Sequence, residues 1–379
     1  MSAAGARTAL VVGAGISGMV AAAELARLGL EVDLIEREPE PVFRGIGIVL
    51  LPPAVRSMQM LGLVDVCLER GFPQHESETR TAGGELIARR PMQGLLGPDY
   101  PPAIGIARPA FGEILREHVL GAGAQLRCGL TVTEFAEAGD RVEVEFSDRS
   151  SGGYDVVVGA DGLRSSVRAQ WFPEQPEPDY IGQCAWRALV GDRPAELNGL
   201  RLFLGTTTRT GFNPITPDDM YLYCLHQTDD RRPHLTAEQS HALLIEQLAE
   251  YGGLVGEVRE RLSASSPSYY GPLYTSFVAG PWHRGRVILI GDAAHATPPH
   301  LASGAGIAIE DAIVLARCLD ESDTVDAAFQ LFMGQRYERC RMVIENSLAL
   351  SRWDLDPDAP RDQAAALTTD TWAALADPI

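Results

Sequence analysis

The stretch from Thr8 to Glu36 admits few folds. It runs from an apolar segment, Thr8 to Val12, through Gly13-Ala14-Gly15-Ile16-Ser17-Gly18 into an Ala- and Leu-rich helical pattern, Ile16 to Leu28, stopped by Gly29; a second apolar segment, Glu31 to Ile35, then delivers Glu36. A strand that turns sharply into a helix needs glycine where φ is unfavourable and where backbone must approach phosphate closely. Gly13 makes that turn, Gly15 admits a pyrophosphate to the helix N-terminus at Ile16 and Ser17, and Gly18 lets helix and strand pack. Glu36, with Arg37 beside it, lies where a ribose hydroxyl needs an acceptor, roughly twenty residues beyond the glycines. A lone glycine motif marks only a tight connection, whereas this complete unit predicts a nucleotide site. It does not choose between FAD and NAD, which share the pyrophosphate cradle.

Two later segments repeat the pattern of an apolar run ending in glycine and acid. Asp155 to Val158 leads into Gly159-Ala160-Asp161-Gly162, and Arg286 to Ile290 leads into Gly291-Asp292-Ala293-Ala294-His295. Short continuous apolar runs suit strands buried on both faces of a parallel sheet, and an acid just past such a strand sits at the carboxyl edge, where ligands of open α/β sheets bind. Asp161 also reads as a turn residue or cap for a helix over Leu163 to Gln170.

The run Gly159 to Arg168 resembles the Asp-Gly motif of class A FAD-dependent aromatic hydroxylases. Gly291 to His295, with Pro298-Pro299-His300, resembles their second FAD motif. The resemblance spans roughly residues 8 to 345 and is closest to the salicylate hydroxylase and 6-hydroxynicotinate 3-monooxygenase type. It implies the para-hydroxybenzoate hydroxylase fold: an α/β chain with a Rossmann-like FAD-binding domain, an interleaved antiparallel β-sheet substrate domain and C-terminal helices. It implies that Asp292 reaches the ribityl and pyrophosphate region, that Arg108 contacts the cofactor, and that Asp161 has a structural and NAD(P)H-linked role. Arg44-Gly45-Ile46-Gly47-Ile48 resembles the family's segment beside the isoalloxazine ring, which implies that Arg44 and Gly45 lie at the cofactor. The resemblance also implies that Pro299 and the small residues Gly304, Ala305 and Gly306 bring a helix N-terminus to the flavin, where its partial positive charge would stabilise the anionic reduced ring. In the motif running from Gly47 to Pro53, the 6-hydroxynicotinate type carries a histidine where this chain has Val49.

His300 is a candidate acid or base beside the flavin, and His295 reads as structural. Between residues 173 and 277 the pattern changes to strands, Gln183 to Val190, Leu200 to Leu204 and Met220 to His226, broken by Gly-Asp, Asn-Gly, Thr-rich and Pro-Asp-Asp stretches. Arg187 could hold a carboxylate or phenolate bidentately, or form an interface ion pair. Tyr221 and Tyr223 share one strand face and His226 the other. Either tyrosine could orient a phenol or simply pack. Expected next are a helix from Ala237 to Tyr251, a strand from Tyr269 to Phe277, a helix from Asp326 to Ser351 and a short final helix. The expected division is residues 1–80, 101–172 and 278–350 for the FAD-binding domain, 81–100 and 173–277 for the substrate domain, and 351–379 for a C-terminal tail.

The net charge of −19 and the lack of basic patches in the sequence argue against a nucleic-acid surface. Six scattered cysteines, with no C-x-x-C pair, suggest neither a metal site nor a disulfide framework. No run approaches the ~18 apolar residues of a membrane span, and the nucleotide strand starts too near Met1 for a signal peptide, so a cytoplasmic monomer or homodimer is expected. No second glycine-rich unit is present, which disfavours two-dinucleotide disulfide reductases and implies that NADH or NADPH binds transiently. The tryptophan-rich signature of flavin halogenases is also missing. The resulting expectation is a monooxygenase that takes O2, through a flavin C4a-hydroperoxide, to a small aromatic or N-heteroaromatic substrate. An FAD-dependent reductase or dehydrogenase, or a non-catalytic flavin-binding redox or interaction protein, are the alternatives.

Overall fold

A computed structural model describes residues 3–43, 45–231, 235–354, 356 and 359–379. The first glycine unit seeds a six-stranded sheet in the order His283–Arg284, Val287–Leu289, Val156–Gly159, Thr8–Val12, Glu31–Glu36, Gln125–Cys128. Every neighbouring pair is parallel except the one at the His283–Arg284 edge. The central strands are buried almost throughout, as their unbroken apolar runs require. Helix Ile16–Arg27 packs against helices Arg108–Ala122 and Gly304–Glu321. Register carries the functional consequence. Val12 pairs with Gly159 and Ile35, and Gly159 with Leu289, so all three glycine-bearing segments leave the sheet at one carboxyl edge.

A second, seven-stranded sheet runs in the order Ser268–Thr275, Asp179–Val190, Met220–Gln227, Thr208–Pro214, Leu200–Leu204, Glu76–Thr81, Leu86–Pro91. Its pairs are antiparallel except Leu200–Leu204 with Glu76–Thr81. One face buries Trp186, Phe203, Phe212, Leu222 and Cys224 against Leu244 and Val255 of two helices, Ala237–Gln247 and Gly253–Arg261. The opposite face looks toward the cofactor sheet. A small sheet, Gly47–Leu50, Ala103–Ala107 and Gly71–Gln74, lies between the two layers, with the backbone of Gly105 closely approached by the carbonyl of Pro214.

Four expectations need correction. The Thr-rich stretch read as a break contains strand Thr208–Pro214, because β-branched Thr208 and Thr210 and the ring of Phe212 fill the helix-covered face. The single helix expected to run to Tyr251 ends at Gln247, and a second begins at Gly253, with Gly252 as its N-cap. Strand Glu76–Thr81 already belongs to the seven-stranded sheet, ahead of the boundary expected at residue 81. The closing helix, Arg361–Leu375, is also longer than expected, and follows the 30-residue helix Val325–Asp354. Among the described residues no helix is long and apolar enough to cross a membrane.

The close packing of the first helix on its strand depends on Gly18, where an added Cβ would sit 1.9 Å from the Gly13 carbonyl oxygen. Gly15, by contrast, has nothing within 4 Å of that position and a φ of −77° that any residue adopts. Gly18→Ala is therefore expected to lose at least the ~1–3 kcal/mol typical of overpacking, while Gly15→Ala without cofactor keeps wild-type stability. Urea unfolding of the two apoproteins, monitored by tryptophan fluorescence, checks the contrast.

Candidate cofactor and substrate site

The three segments that leave the carboxyl edge touch. A Cβ on Gly13, whose φ is +103°, would meet the Ala160 carbonyl oxygen at 2.6 Å and the Asp161 Cα at 2.7 Å; one on Gly291 would meet Ser17 Oγ at 2.7 Å. Arg168 stitches the second segment to the third by donating to the carbonyls of Leu163 and Ala293, at 2.6 and 2.7 Å. Sequence reasoning quoted Arg168 without assigning it a task.

Helix N-termini show where an anion fits. Neither Ile16–Arg27 nor Gly304–Glu321 has a side-chain cap, so their first N–H groups are available to a ligand. Helix Ser166–Trp171 is capped instead. Asp161 Oδ2 accepts from the N–H groups of Ser166 and Val167 and from Ser166 Oγ, and Ser165 Oγ accepts from Arg168 N, so Asp161 takes the capping role. Glu36 fixes the first turn by accepting from the N–H of Ala14 at 3.0 Å and that of Glu38 at 3.1 Å. Arg37 is exposed and lies 3.9 Å from Glu38. Asp292 presents its surface to the cleft while protein encloses it closely, so burial raises its carboxyl pKa against the pull of His295 and Arg108. With open space in front of Gly15, two uncapped helix ends and an acid at the cleft, the residues fit a flavin dinucleotide.

Arg108 opens its helix and is buried beside Gly45, whose φ of +110° and missing Cβ make room for the arginine stem. Desolvation lowers the guanidinium's pKa, as does the like charge of Arg187. Arg44 lies outside the described residues. Pro299 and His300 fall in a one-turn 3-10 helix, Pro299–Leu301, which leads through Ala302 and Ser303 to Gly304, Ala305 and Gly306 at the helix start.

The facing sheet supplies a second set of groups. Arg187 pairs in register with Tyr223 and Tyr269, Gly211 with Tyr223, and Asn213 with Tyr221, so these residues share one face. Tyr221 lies against Gly47, where a Cβ would be 2.4 Å from its ring, and thus bridges the sheet to the strand expected beside the isoalloxazine. Tyr223 lies across Gly211 in the same way. Burial raises both phenol pKa values, so each hydroxyl stays a donor near neutral pH. Among the described residues Arg187 has no hydrogen-bonded or ion-paired partner; Arg108 and Tyr221 are the groups whose fields it shares.

His226 departs from this set. It is buried on the helix-covered face, 2.9 Å from the Tyr270 hydroxyl and 4.7 Å from the Trp186 ring centroid, because strand alternation turns it away from Tyr221 and Tyr223. Two groups that the sequence did not single out join the site instead. Arg209, from the unexpected strand, reaches Asp354 at 3.4 Å, and Asp354 Oδ2 lies 3.5 Å from His300 Nε2. Neither His300 ring nitrogen has a hydrogen-bond partner among the described residues, and burial lowers its pKa to about 4.

Behind the site a buried ion network fixes the third segment. Asp311 accepts from Gly291 N at 2.9 Å, from His295 and from Arg336; Arg336 and Arg339 also hold Glu310. Burial opposes charge on His295, but the Cys340 sulfur and Asp311 outweigh it and raise its pKa well above normal. His295, Asp311 and Cys340 offer ligand atoms within 4.8 Å of one another, yet Arg336 contacts both Asp311 and Cys340 and supplies the positive charge there.

A protein-family profile described as an FAD binding domain matches residues 7–344. The 3-amino-4-hydroxybenzoate 2-monooxygenase of Streptomyces cremeus is 32% identical, covering 95% of this chain and 92% of that protein. The 2-heptyl-3-hydroxy-4(1H)-quinolone synthase of Pseudomonas aeruginosa is 30% identical, covering 91% and 89%. The structure of Klebsiella pneumoniae HpxO complexed with FAD and uric acid superposes with a TM-score of 0.85 at 24% identity, covering 98% of this chain and 95% of that one.

The depressed pKa of His300 has a consequence for stability. Between the unfolded value of about 6.5 and the folded value of about 4, the unfolded chain binds the extra proton, so stability falls as pH falls through that window. His300→Asn should flatten that part of the profile, giving a smaller drop in Tm than wild type between neutral pH and the acid end. Thermal unfolding across the window measures it; parallel profiles would contradict the assignment.

Proposed function

The chain belongs to the FAD-binding family of flavoprotein aromatic monooxygenases, and from that premise we propose that it uses NADH or NADPH and O2 to hydroxylate a small electron-rich aromatic or N-heteroaromatic ring that carries an anionic group. The observation that supports this reading best is the meeting of two unlike surfaces: a glycine-built edge with uncapped helix ends, and a sheet face bearing Arg187, Tyr221, Tyr223 and Arg209 beside the buried imidazole of His300, which makes no hydrogen bond among the described residues.

FAD, when bound, supplies the electron transfer from nicotinamide and the activation of O2. The chain's residues supply placement. The N-terminus of helix Ile16–Arg27 holds the pyrophosphate, Asp292 the ribityl region, and the N-terminus of helix Gly304–Glu321 sets positive potential against charge on the reduced ring. Arg187 takes the substrate's carboxylate or phenolate, because a cation with a like-charged neighbour and no protein anion is best satisfied by a ligand anion. Tyr221 donates its hydroxyl. His300, neutral near pH 7 because burial penalises its charged form, orients a ring hydroxyl by accepting its hydrogen bond. No second nucleotide cradle is evident in the sequence, so NAD(P)H binds only for reduction.

Purified protein should carry a visible flavin spectrum, and a screen of small aromatic acids and hydroxylated N-heterocycles should identify a compound that accelerates NADH or NADPH oxidation. With ¹⁸O-labelled O2, that compound should gain one labelled oxygen. Stimulated oxidation without label would identify a reductase or dehydrogenase, and no stimulation by any aromatic would end the hydroxylase reading. Arg187→Gln should leave FAD affinity unchanged and raise KM for the anionic substrate about 10- to 100-fold, the range of one to two charged hydrogen bonds.

A further inference from the structure

We propose that Trp372, on the chain's last helix, is a positioning residue for the flavin-facing loop, acting through the carbonyl of Leu301. The inference rests on the flavin reading above but concerns a helix that no cofactor motif includes.

Trp372 Nε1 donates to the Leu301 carbonyl at 3.2 Å, and Ser303 Oγ donates to the same oxygen at 2.9 Å. Two donors on one acceptor fix the plane of the peptide between Leu301 and Ala302. Ala302 follows with a φ of +50°, a left-handed conformation that costs a non-glycine residue energy and persists only where its surroundings hold it. The next residues are Ser303, the N-cap, and Gly304, where the helix facing the flavin begins without a side-chain cap. The direction of that helix's free N–H groups is therefore set one peptide upstream, at the carbonyl that Trp372 holds.

The indole is itself well anchored. Its ring packs with Val49, Leu51 and Ala103, and Val49 belongs to the strand expected to border the isoalloxazine. At the C-terminal end of its helix, Arg56 donates to the carbonyl of Ala376 at 2.6 Å and to that of Asp377 at 2.9 Å, while Arg339 donates to the carbonyl of Leu375 at 2.8 Å. Cations on these carbonyls complement the helix dipole. Both guanidiniums also meet Glu310, which lies on the flavin-facing helix. The last helix is thus tied to that helix at two places, by the Trp372 hydrogen bond near its start and by the arginine clamp further along.

Trp372→Phe keeps an aromatic ring against Val49 and Leu51 and removes the donor together with part of the indole's volume, whose packing loss the comparison with Trp372→Ala gauges. We expect the variant to lose less Tm than Trp372→Ala and to keep FAD affinity within about twofold, but to show a more negative flavin midpoint potential in spectroelectrochemical titration, since fewer aligned N–H dipoles would oppose charge on the reduced ring. Ser303→Ala should shift the potential in the same direction, and the double variant further than either. A potential and visible spectrum identical to wild type in both Trp372→Phe and the double variant would overturn the proposal. So would a Trp372→Phe protein destabilised as far as Trp372→Ala, which would assign the residue to packing alone. These readouts need no substrate: a wild-type protein that binds no FAD would sink the functional reading, whereas a flavin-loaded wild type beside indifferent variants would sink only this one.

Discussion

The backbone contact between Gly13 and the Ala160–Asp161 peptide constrains everything built above it. A methyl group at Gly13 would overlap the Ala160 carbonyl and force apart the two parallel strands whose ends form the cofactor edge. Because Val12, Gly159 and Leu289 align across three neighbouring strands, that contact also fixes where Gly291 and Asp292 emerge. The proposed pyrophosphate cradle, the Asp161-capped turn and the loop toward His300 are consequences of one register.

The register is reinforced from behind by charge. Asp311, Glu310, Arg336 and His295 are almost wholly buried, and taking such groups out of water is costly unless each is paired and hydrogen-bonded. Here they are, and one acceptor position on Asp311 is spent on the N–H of Gly291. Gly291 has a φ of +58° and a backbone that Ser17 approaches closely, so the pairing holds a conformation that local preferences would not. Removing a single partner would leave a buried charge uncompensated.

How much of this was legible in the sequence divides along physical lines. Thr8–Val12, the glycine turn, Glu36 and the Gly-Asp segment announce themselves because close backbone approach and two-sided burial restrict residue type strongly. Strand alternation separated Tyr221 and Tyr223 from His226 without telling which face lines a ligand; in the structure Arg187 pairs in register with Tyr223, and His226 stacks on Trp186 under the helices. Arg209 and Asp354 were missed for different reasons. Arg209 sits in a Thr-rich stretch that reads as a turn until its two partner strands are known, and Asp354 reaches the site only because a long helix happens to end there. Trp372 could not be found from pattern at all, since nothing local distinguishes a packing indole from one whose N–H meets a carbonyl 71 positions away.

The alternation of the seven-stranded sheet has a further bearing on how such a protein can be altered. Along Cys184–Val190, Thr208–Pro214 and Met220–Gln227, residues turned away from the helices, such as Arg187, Arg209, Gly211, Tyr221 or Tyr223, alternate with residues such as Trp186, Thr210, Phe212, Leu222 or Cys224 that hold the helix-covered core. The proposed recognition face and the folding core are thereby written on alternate letters of the same strands. A combinatorial library confined to Arg187, Arg209 and Tyr223 could alter that face while leaving the helix-covered parity untouched, with Gly211 and Tyr221 held fixed by their close contacts to Tyr223 and Gly47.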